Sequence, residues 1–290
     1  MRGDILKGNI PVLFVEGSTL PEAWEKSLLA LNENGCSIRT QYDWLEGPPS
    51  KDCSMTIVVS DPTSEPMLHR AIPGGFENLQ EYALEITDGI KDQFLESATV
   101  EKNAARRKYT IHNRLYDYVI PGLNVSYDQI KIITQKLIET PHTRQAQATT
   151  CKVWEDHDDG GPTSLQSIWC RLLKGDNNIW YLNANIRSRS TDAYNTAFMD
   201  MFAIVQLIKK IAKDIETVSG SQVKLGRYVH QIDSYYIYGA DFKAFNEVFL
   251  KTLFKKSFEE RTASYSDMKP IMDKTTTQIL EKIKRMSRYG

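Results

Sequence analysis

The strongest periodic signal in the chain lies between 193 and 214, where Ala197, Ala203, Ile204, Leu207 and Ile211 recur at three- and four-residue spacing. That spacing predicts an amphipathic helix with one core-facing stripe. Asp200 falls on the same stripe, three positions before Ala203 and four before Ile204. An ionised, unpaired carboxylate there is strongly unfavourable, so Asp200 needs either a helix-terminal or buried polar partner or a ligand. Just upstream, IWYLNANIRSRS (179–190) alternates. Ile179, Tyr181, Asn183, Asn185 and Arg187 fall on one face, and Trp180, Leu182, Ala184 and Ile186 on the other, as in a strand. GDNN (175–178) suits a hairpin turn joining it to a strand at LQSIWCRLL (165–173). CSMTIVVSD (53–61), AQATTCKVW (146–154) and GRYVHQIDSYYIYG (226–239) predict further strands. Helical spacing marks 78–94, with Asn78 as N-cap, then 127–140, ended by Pro141, then 245–256 and a basic tail helix at 271–286. Helices and mostly sequential strands in this order predict an α+β fold, with helices packed against a sheet. The expected organisation is one domain over 1–290 with a C-terminal helical extension.

Composition narrows the function by exclusion. The 290 residues carry 36 basic and 37 acidic side chains, so no general field draws the chain to nucleic acid or to an acidic membrane. The run MFAIVQLI is far shorter than the roughly 18 apolar residues of a membrane span, and PVLFV is too short for a signal-peptide core. Cys36, Cys53, Cys151 and Cys170 show no C-x-x-C pairing and suit reduced thiols in a cytoplasm. Five scattered histidines show no zinc spacing. DHDD (156–159) reads as a solvated acidic loop, and EGPPSKD (46–52) and IPGG (72–75) as turns. The expectation is a cytoplasmic protein with no metal, membrane or nucleic-acid partner.

Three polar clusters carry the candidate chemistry. In Arg189-Ser190-Thr191-Asp192, Asp192 suits a helix cap, while an arginine and a serine beside a helix N-terminus suit a phosphate. Thr143-Arg144 follows Pro141, and Asp233-Ser234-Tyr235-Tyr236-Ile237-Tyr238 closes a strand. Taken singly, each is also an ordinary turn or amphipathic strand.

Their order and spacing resemble thymidylate synthase and its sister nucleotide hydroxymethylases. That family carries an arginine-serine-x-aspartate motif before a helix, a downstream aspartate-threonine/serine-x-x-tyrosine pattern, and a serine/threonine-arginine pair twenty residues before a proline-cysteine nucleophile. Here Thr143-Arg144 is followed, twenty residues on, by Ser164, a serine where the family has cysteine; either the cysteine has been substituted by design or the sequence has diverged. Tyr109 to Arg114 is similar to the family's tyrosine-x-x-x-x-arginine segment, and SKDCSM (50–55) to its early phosphate loop, with Lys51 where arginine is usual.

The resemblance, which covers roughly 40–240, implies a thymidylate synthase-like α+β fold whose mixed sheet forms a homodimer interface. It implies a pyrimidine nucleoside monophosphate substrate and 5,10-methylenetetrahydrofolate as cofactor. Arg189, Ser190 and Lys51 would hold the 5′-phosphate, with Arg144 donated by the second subunit. Asp192 belongs to the same motif, Tyr238 would bond the sugar 3′-hydroxyl, and Tyr236 stands where histidine is common. Ser164 would face pyrimidine C6, Tyr109 would assist loss of the C5 proton, and Glu85 would serve the base and an ordered water. Asp200 stands where the thymidylate synthases use asparagine to read uracil, and an aspartate there resembles the cytidylate hydroxymethylases. A protonated carboxyl donates to cytosine N3 and accepts from N4. The implied activity is therefore dCMP or CMP 5-hydroxymethyl transfer. Methylation of dUMP and nucleotide binding without catalysis remain the alternatives.

Overall fold

The computed structural model describes residues 8–95, 109–123, 125–156 and 162–289. A mixed seven-stranded sheet runs in the order β1 (Val12–Gly17), β3 (Ser50–Val59), β10 (Val223–Ile237), β9 (Trp180–Asp192), β8 (Leu165–Lys174), β7 (Gln147–Thr149), with β2 (Cys36–Ile38) beside β3. Strands β9 and β10 are parallel, so the chain must cross over between them, and α6 (Ala197–Ser219) makes that crossing. The remaining strands are the short pairs β4 (Leu68–His69) with β11 (Thr262–Ala263) and β5 (Tyr118–Ile120) with β6 (Val125–Tyr127). The helices α1 (Leu20–Asn34), α2 (Gly75–Asp88) and α4 (Gln129–Glu139) pack around α6. Short helices α3 (Ile111–Tyr116), α5 (Val153–Asp156), α7 (Phe242–Ala244), α8 (Lys251–Lys255) and α9 (Phe258–Arg261) fill the corners, and α10 (Tyr265–Tyr289) ends the chain.

The periodicities explain this arrangement. In β9, Leu182, Ala184 and Ile186 are buried beneath α6, while the opposite face carries Asn183, Asn185 and Arg187. At the β8–β9 turn, Asn178 takes φ 64°, a left-handed conformation that asparagine tolerates, and its N–H bonds the Gly175 carbonyl at 3.1 Å. Helix α6 is apolar around most of its circumference, with Phe198, Phe202, Val205 and Ile208 buried alongside Ile204, Leu207 and Ile211. Such a helix belongs at the centre of a layer, between sheet and outer helices.

Several boundaries differ from the sequence reading. The strand expected over 146–154 is only Gln147–Thr149, because the chain turns into α5 at Val153. The helix expected over 245–256 starts as a π-helical turn, Phe245–Leu250, before α8. Of the acidic loop, residues 157–160 lie outside the described residues. Asp156 is not solvated: it is buried, accepts from Arg114 Nη2 at 2.6 Å and caps the Lys152 N–H at 2.8 Å. A buried guanidinium needs such a carboxylate, and Arg114 has one. No helix among the described residues is long and apolar enough to cross a membrane.

Candidate functional site

The C-terminal ends of β9 and β10 and the N-terminus of α6 meet at one edge of the sheet, where the strands of a crossover unit leave a crevice. A cavity of about 650 Å³ opens there. It gathers Ser164, Arg189, Ser190, Asp192, Asp200, Tyr236 and Tyr238 from the sequence reading, and adds Tyr82, Asp52, Ser50, Thr191, Thr196, Ser234 and the turn Thr40–Tyr42.

The corner that carries RSTD is pinned from two sides. Trp24 of α1, fully buried against His69, Phe198 and Phe249, donates its indole N–H to the Ala193 carbonyl at 2.9 Å. The Ala193 N–H bonds the Tyr236 carbonyl at 2.7 Å, which locks the end of β9 to the end of β10. Asp192 closes the corner, accepting from the N–H groups of Tyr194 (3.1 Å) and Asn195 (2.9 Å). In β10 a bulge between Ile232 and Tyr235 shifts the alternation by one residue. Tyr235 and Ile237 then take the core positions, and Ser234 and Tyr236 are left to line the cavity. The loop over the mouth is held by Arg39, which donates to the carbonyls of Trp44 and Gly47, and by Asp43, which accepts from Thr40 and Ser50. Gly239 packs against the Pro48 carbonyl, where any Cβ would collide.

The charge balance is distinctive. Arg189 is the one cation among the described lining residues, against Asp52, Asp192 and Asp200. One edge of its guanidinium is fixed by two bonds to the Pro162 carbonyl (3.0 and 2.7 Å), and Nη1 donates to Ser190 Oγ at 3.0 Å. Asp200 is half-buried rather than wholly in the core, because its first-turn position on α6 opens onto the cavity. Tyr82 donates to Asp200 Oδ1 at 2.5 Å. Desolvation outweighs that bond and, with Asp192 nearby, raises the Asp200 pKa to about 6.

The raised pKa has a thermodynamic consequence. The folded state holds the Asp200 proton between pH 3.8 and about 6, where the unfolded chain releases it, so stability falls as pH rises through that window. Asp200→Asn is therefore expected to gain stability relative to the native chain between pH 4 and pH 7, by on the order of 1–3 kcal/mol. Urea unfolding at both pH values measures this, and a difference constant with pH would contradict it.

Four residues of the sequence reading do not reach the cavity. Lys51 turns its ammonium to the Asn32 carbonyl at the end of α1, because alternation along β3 sends its neighbour Asp52 to the cavity instead. Glu85 pairs with Lys91 at 2.8 Å, and Tyr82, one turn earlier on α2, occupies the wall. Tyr109 lies under the Arg114 guanidinium, 5.3 Å from its ring centroid. Arg144 is exposed beside β7. No cysteine lines the cavity among the described residues. Burial pushes the thiols of Cys53 and Cys170 up to about 12 and raises those of Cys36 and Cys151. Ser164 is exposed to the cavity and its Oγ has no hydrogen-bond partner among the described residues. Nor do the described residues hold a group of three or more metal-ligating side chains.

No family model matches the chain, and no curated protein matches its sequence. Among solved structures, the thermostable thymidylate synthase A of Bacillus subtilis superposes with a TM-score of 0.56, over 79% of this chain and 83% of that one, at 15% identity. The chain has the thymidylate synthase fold. Within that fold, the cavity side chains missed by the sequence reading share one trait. Tyr82 sits one helical turn from Glu85 and Asp52 beside Lys51, so their rotation, not their presence, was hidden.

Proposed function

We propose that this protein binds a cytidine-type nucleoside monophosphate in the Asp200 cavity and is a one-carbon transferase acting at its C5, with 5,10-methylenetetrahydrofolate as donor. The observation that carries the reading is Asp200, a carboxyl with a raised pKa on the cavity wall, bonded to Tyr82. A proton shared between Asp200 and cytosine N3, with N4–H donated back to the carboxyl, satisfies every group. When ionised, Asp200 only accepts, and uracil would set its O4 acceptor where cytosine offers N4–H. Arg189 and Ser190 support a phosphate contact, since the guanidinium is oriented by Pro162 and Ser190 while remaining exposed.

The cavity also suits folate in kind. About 650 Å³ is within the range of small-molecule sites, and Tyr42 and Tyr82 place two aromatic side chains on its wall. Bound folate would supply a one-carbon unit at the oxidation level of formaldehyde. The chain's own part is to fix the phosphate through Arg189, orient the base through Asp200 and present Ser164 to C6. A symmetric homodimer fits this reading, because Arg144 is exposed outside the described lining of the cavity and so is open to a neighbouring copy. Val12 and Phe14 are exposed on the edge strand β1 and favour such a contact. Sedimentation at micromolar concentration should show a dimer, and a monomer that binds nucleotide tightly would sink that part.

The test of the base assignment is Asp200→Asn. An amide restores the donor–acceptor pattern for uracil, so the ratio of CMP or dCMP affinity to UMP or dUMP affinity should fall by roughly 5- to 150-fold. Titration calorimetry with the four nucleotides reads this directly, and an unchanged ratio removes Asp200 as the base reader. A second reading, binding without turnover, is favoured by Ser164 having no hydrogen-bonded base among the described residues and by the lack of a thiol among the described lining residues.

A further inference from the structure

The two carboxyl oxygens of Asp200 meet the cavity in different states. Oδ1 accepts from Tyr82 Oη at 2.5 Å, a bond that joins α2 to the first turn of α6. Oδ2 has no hydrogen-bond partner among the described residues, and it is not one of the unpartnered atoms closed off from solvent, so a ligand can reach it. Asp200 enters no ion pair among the described residues. Arg189 is bonded to Pro162 and Ser190 instead. Asp192, at the end of β9, brings a second carboxyl and opposes ionisation of Asp200, while Asp52 of β3 is bonded to Ser234. From β10, Tyr228 and Tyr235 feel the Asp200 charge, but their hydroxyls bond His230 Nδ1 at 3.0 Å and Ser27 Oγ at 2.7 Å. Tyr82 is thus the neighbour that favours the ionised form, against burial and Asp192.

The geometry points to Tyr82 as the positioning residue of the base subsite: it holds Asp200 Oδ1, and the cavity admits a cytosine ring together with one proton from solvent, taken at Oδ2. The inference rests on the nucleotide reading above and adds to it a linked proton and the residue that controls it. Each carboxyl oxygen carries two lone pairs, so Oδ1 can keep Tyr82 and still accept cytosine N4–H, while the proton bridges Oδ2 and N3. An ionised carboxyl, a neutral ring and one proton give a neutral pair. Affinity then follows the fraction of protein that holds the proton. It is level below the Asp200 pKa of about 6 and falls about tenfold per pH unit above it. Removing the Tyr82 hydroxyl withdraws a bond that favours the charged form, so the proton should stay on to higher pH.

The experiment binds cytidine, which has no titrating phosphate, to the native chain and to Tyr82→Phe between pH 5 and pH 8, with CMP alongside. Calorimetry in buffers of low and high ionisation enthalpy counts the protons taken up. The native chain should take up about one proton at pH 8 and close to none at pH 5, with affinity falling above pH 6. Tyr82→Phe should move the midpoint up by about one pH unit, the difference between a hydrogen bond to a charged and to a neutral acceptor. The variant should therefore bind cytidine about tenfold tighter than the native chain at pH 8, and within about twofold at pH 5. A tyrosine with only a structural role would weaken binding at both. A fluorinated tyrosine at position 82, close in shape and a stronger donor, should move the midpoint down, which keeps the test in force if the phenylalanine variant does not fold. Native affinity that stays level from pH 6 to pH 8 with no proton taken up, while CMP still binds, overturns the inference and leaves the nucleotide reading standing. A midpoint unmoved in both variants removes Tyr82 as the residue that sets it. If neither cytidine nor CMP binds the native chain at any pH, both readings fall together.

Discussion

Ser164→Cys is expected to turn a slow or silent protein into one that exchanges the C5 proton of cytidylate. The serine hydroxyl has no hydrogen-bonded base among the described residues, and an unactivated hydroxyl adds poorly to a pyrimidine double bond. A thiol at 164 would share the cavity with the Arg189 guanidinium; Ser164 is already tied to that strand, its carbonyl accepting from the Arg189 N–H at 2.8 Å. A neighbouring cation lowers a thiol pKa and raises the thiolate fraction at neutral pH. Since loss of a nucleophile alone can cost about 10⁶-fold in rate, its restoration should raise tritium release from C5-labelled CMP or dCMP by about 10³-fold or more. Nucleotide affinity should stay within about twofold, because phosphate and base contacts do not pass through residue 164. A cysteine variant that binds cytidylate and releases no tritium would favour binding without catalysis. Ready release by the serine form would mean that another group acts on C6.

The second large effect belongs to Arg189→Ala. Arg189 is the one cation among the described residues that line the cavity. Charge-assisted, bidentate bonds to phosphate are among the strongest polar contacts a protein makes, so removal should weaken CMP binding by about 100-fold or more. Cytidine, without phosphate, should bind both forms alike. That contrast separates loss of a phosphate contact from a general collapse of the site, since a collapsed cavity would lose cytidine as well. Arg189→Lys should recover only part of the affinity, because an ammonium cannot fork onto two oxygens.

How far the sequence carried these expectations depends on which physical signal each residue left. The stripe of α6 was readable because its period is long and its apolar residues many, and Asp200 stood out as a violation of it. RSTD was readable because a helix cap and a strand end coincide there. By contrast, Glu85 and Tyr82 lie three apart on one helix, and only the docking of α2 on α6 decides which of them meets the cavity. Lys51 and Asp52 are adjacent in a strand, where a shift of one residue exchanges the faces. The bulge that brings Ser234 and Tyr236 to the cavity leaves no mark in a run of polar and aromatic residues. Strand β1 and helix α1 precede the resemblance, which begins near residue 40, and their signals are local: Thr19 caps α1 and its apolar positions recur at helical spacing. Trp24, which fixes the site corner from α1, lies 169 residues from the Ala193 carbonyl it bonds, a pairing that no local spacing marks.

The last segment of the chain bears on how the protein comes to be made. Arg261 grips Glu25 through Nη2 at 2.8 Å, and His69 bonds the same carboxylate at 2.9 Å, so three distant parts of the chain converge on one buried acid. Further on, Gln80 donates to Thr276 at 3.0 Å and Lys282 to Glu81 at 3.0 Å, which lays α10 along the helix that carries Tyr82. Closing contacts separated by more than two hundred residues lowers chain entropy before it rewards the chain with burial. During synthesis α2 emerges long before α10, and Glu25 before Arg261. The wall that presents Tyr82 to Asp200 therefore gains its outer support only after α10 has been synthesised. A chain stalled short of residue 261 would hold the motifs of the site without the buttress that sets their geometry.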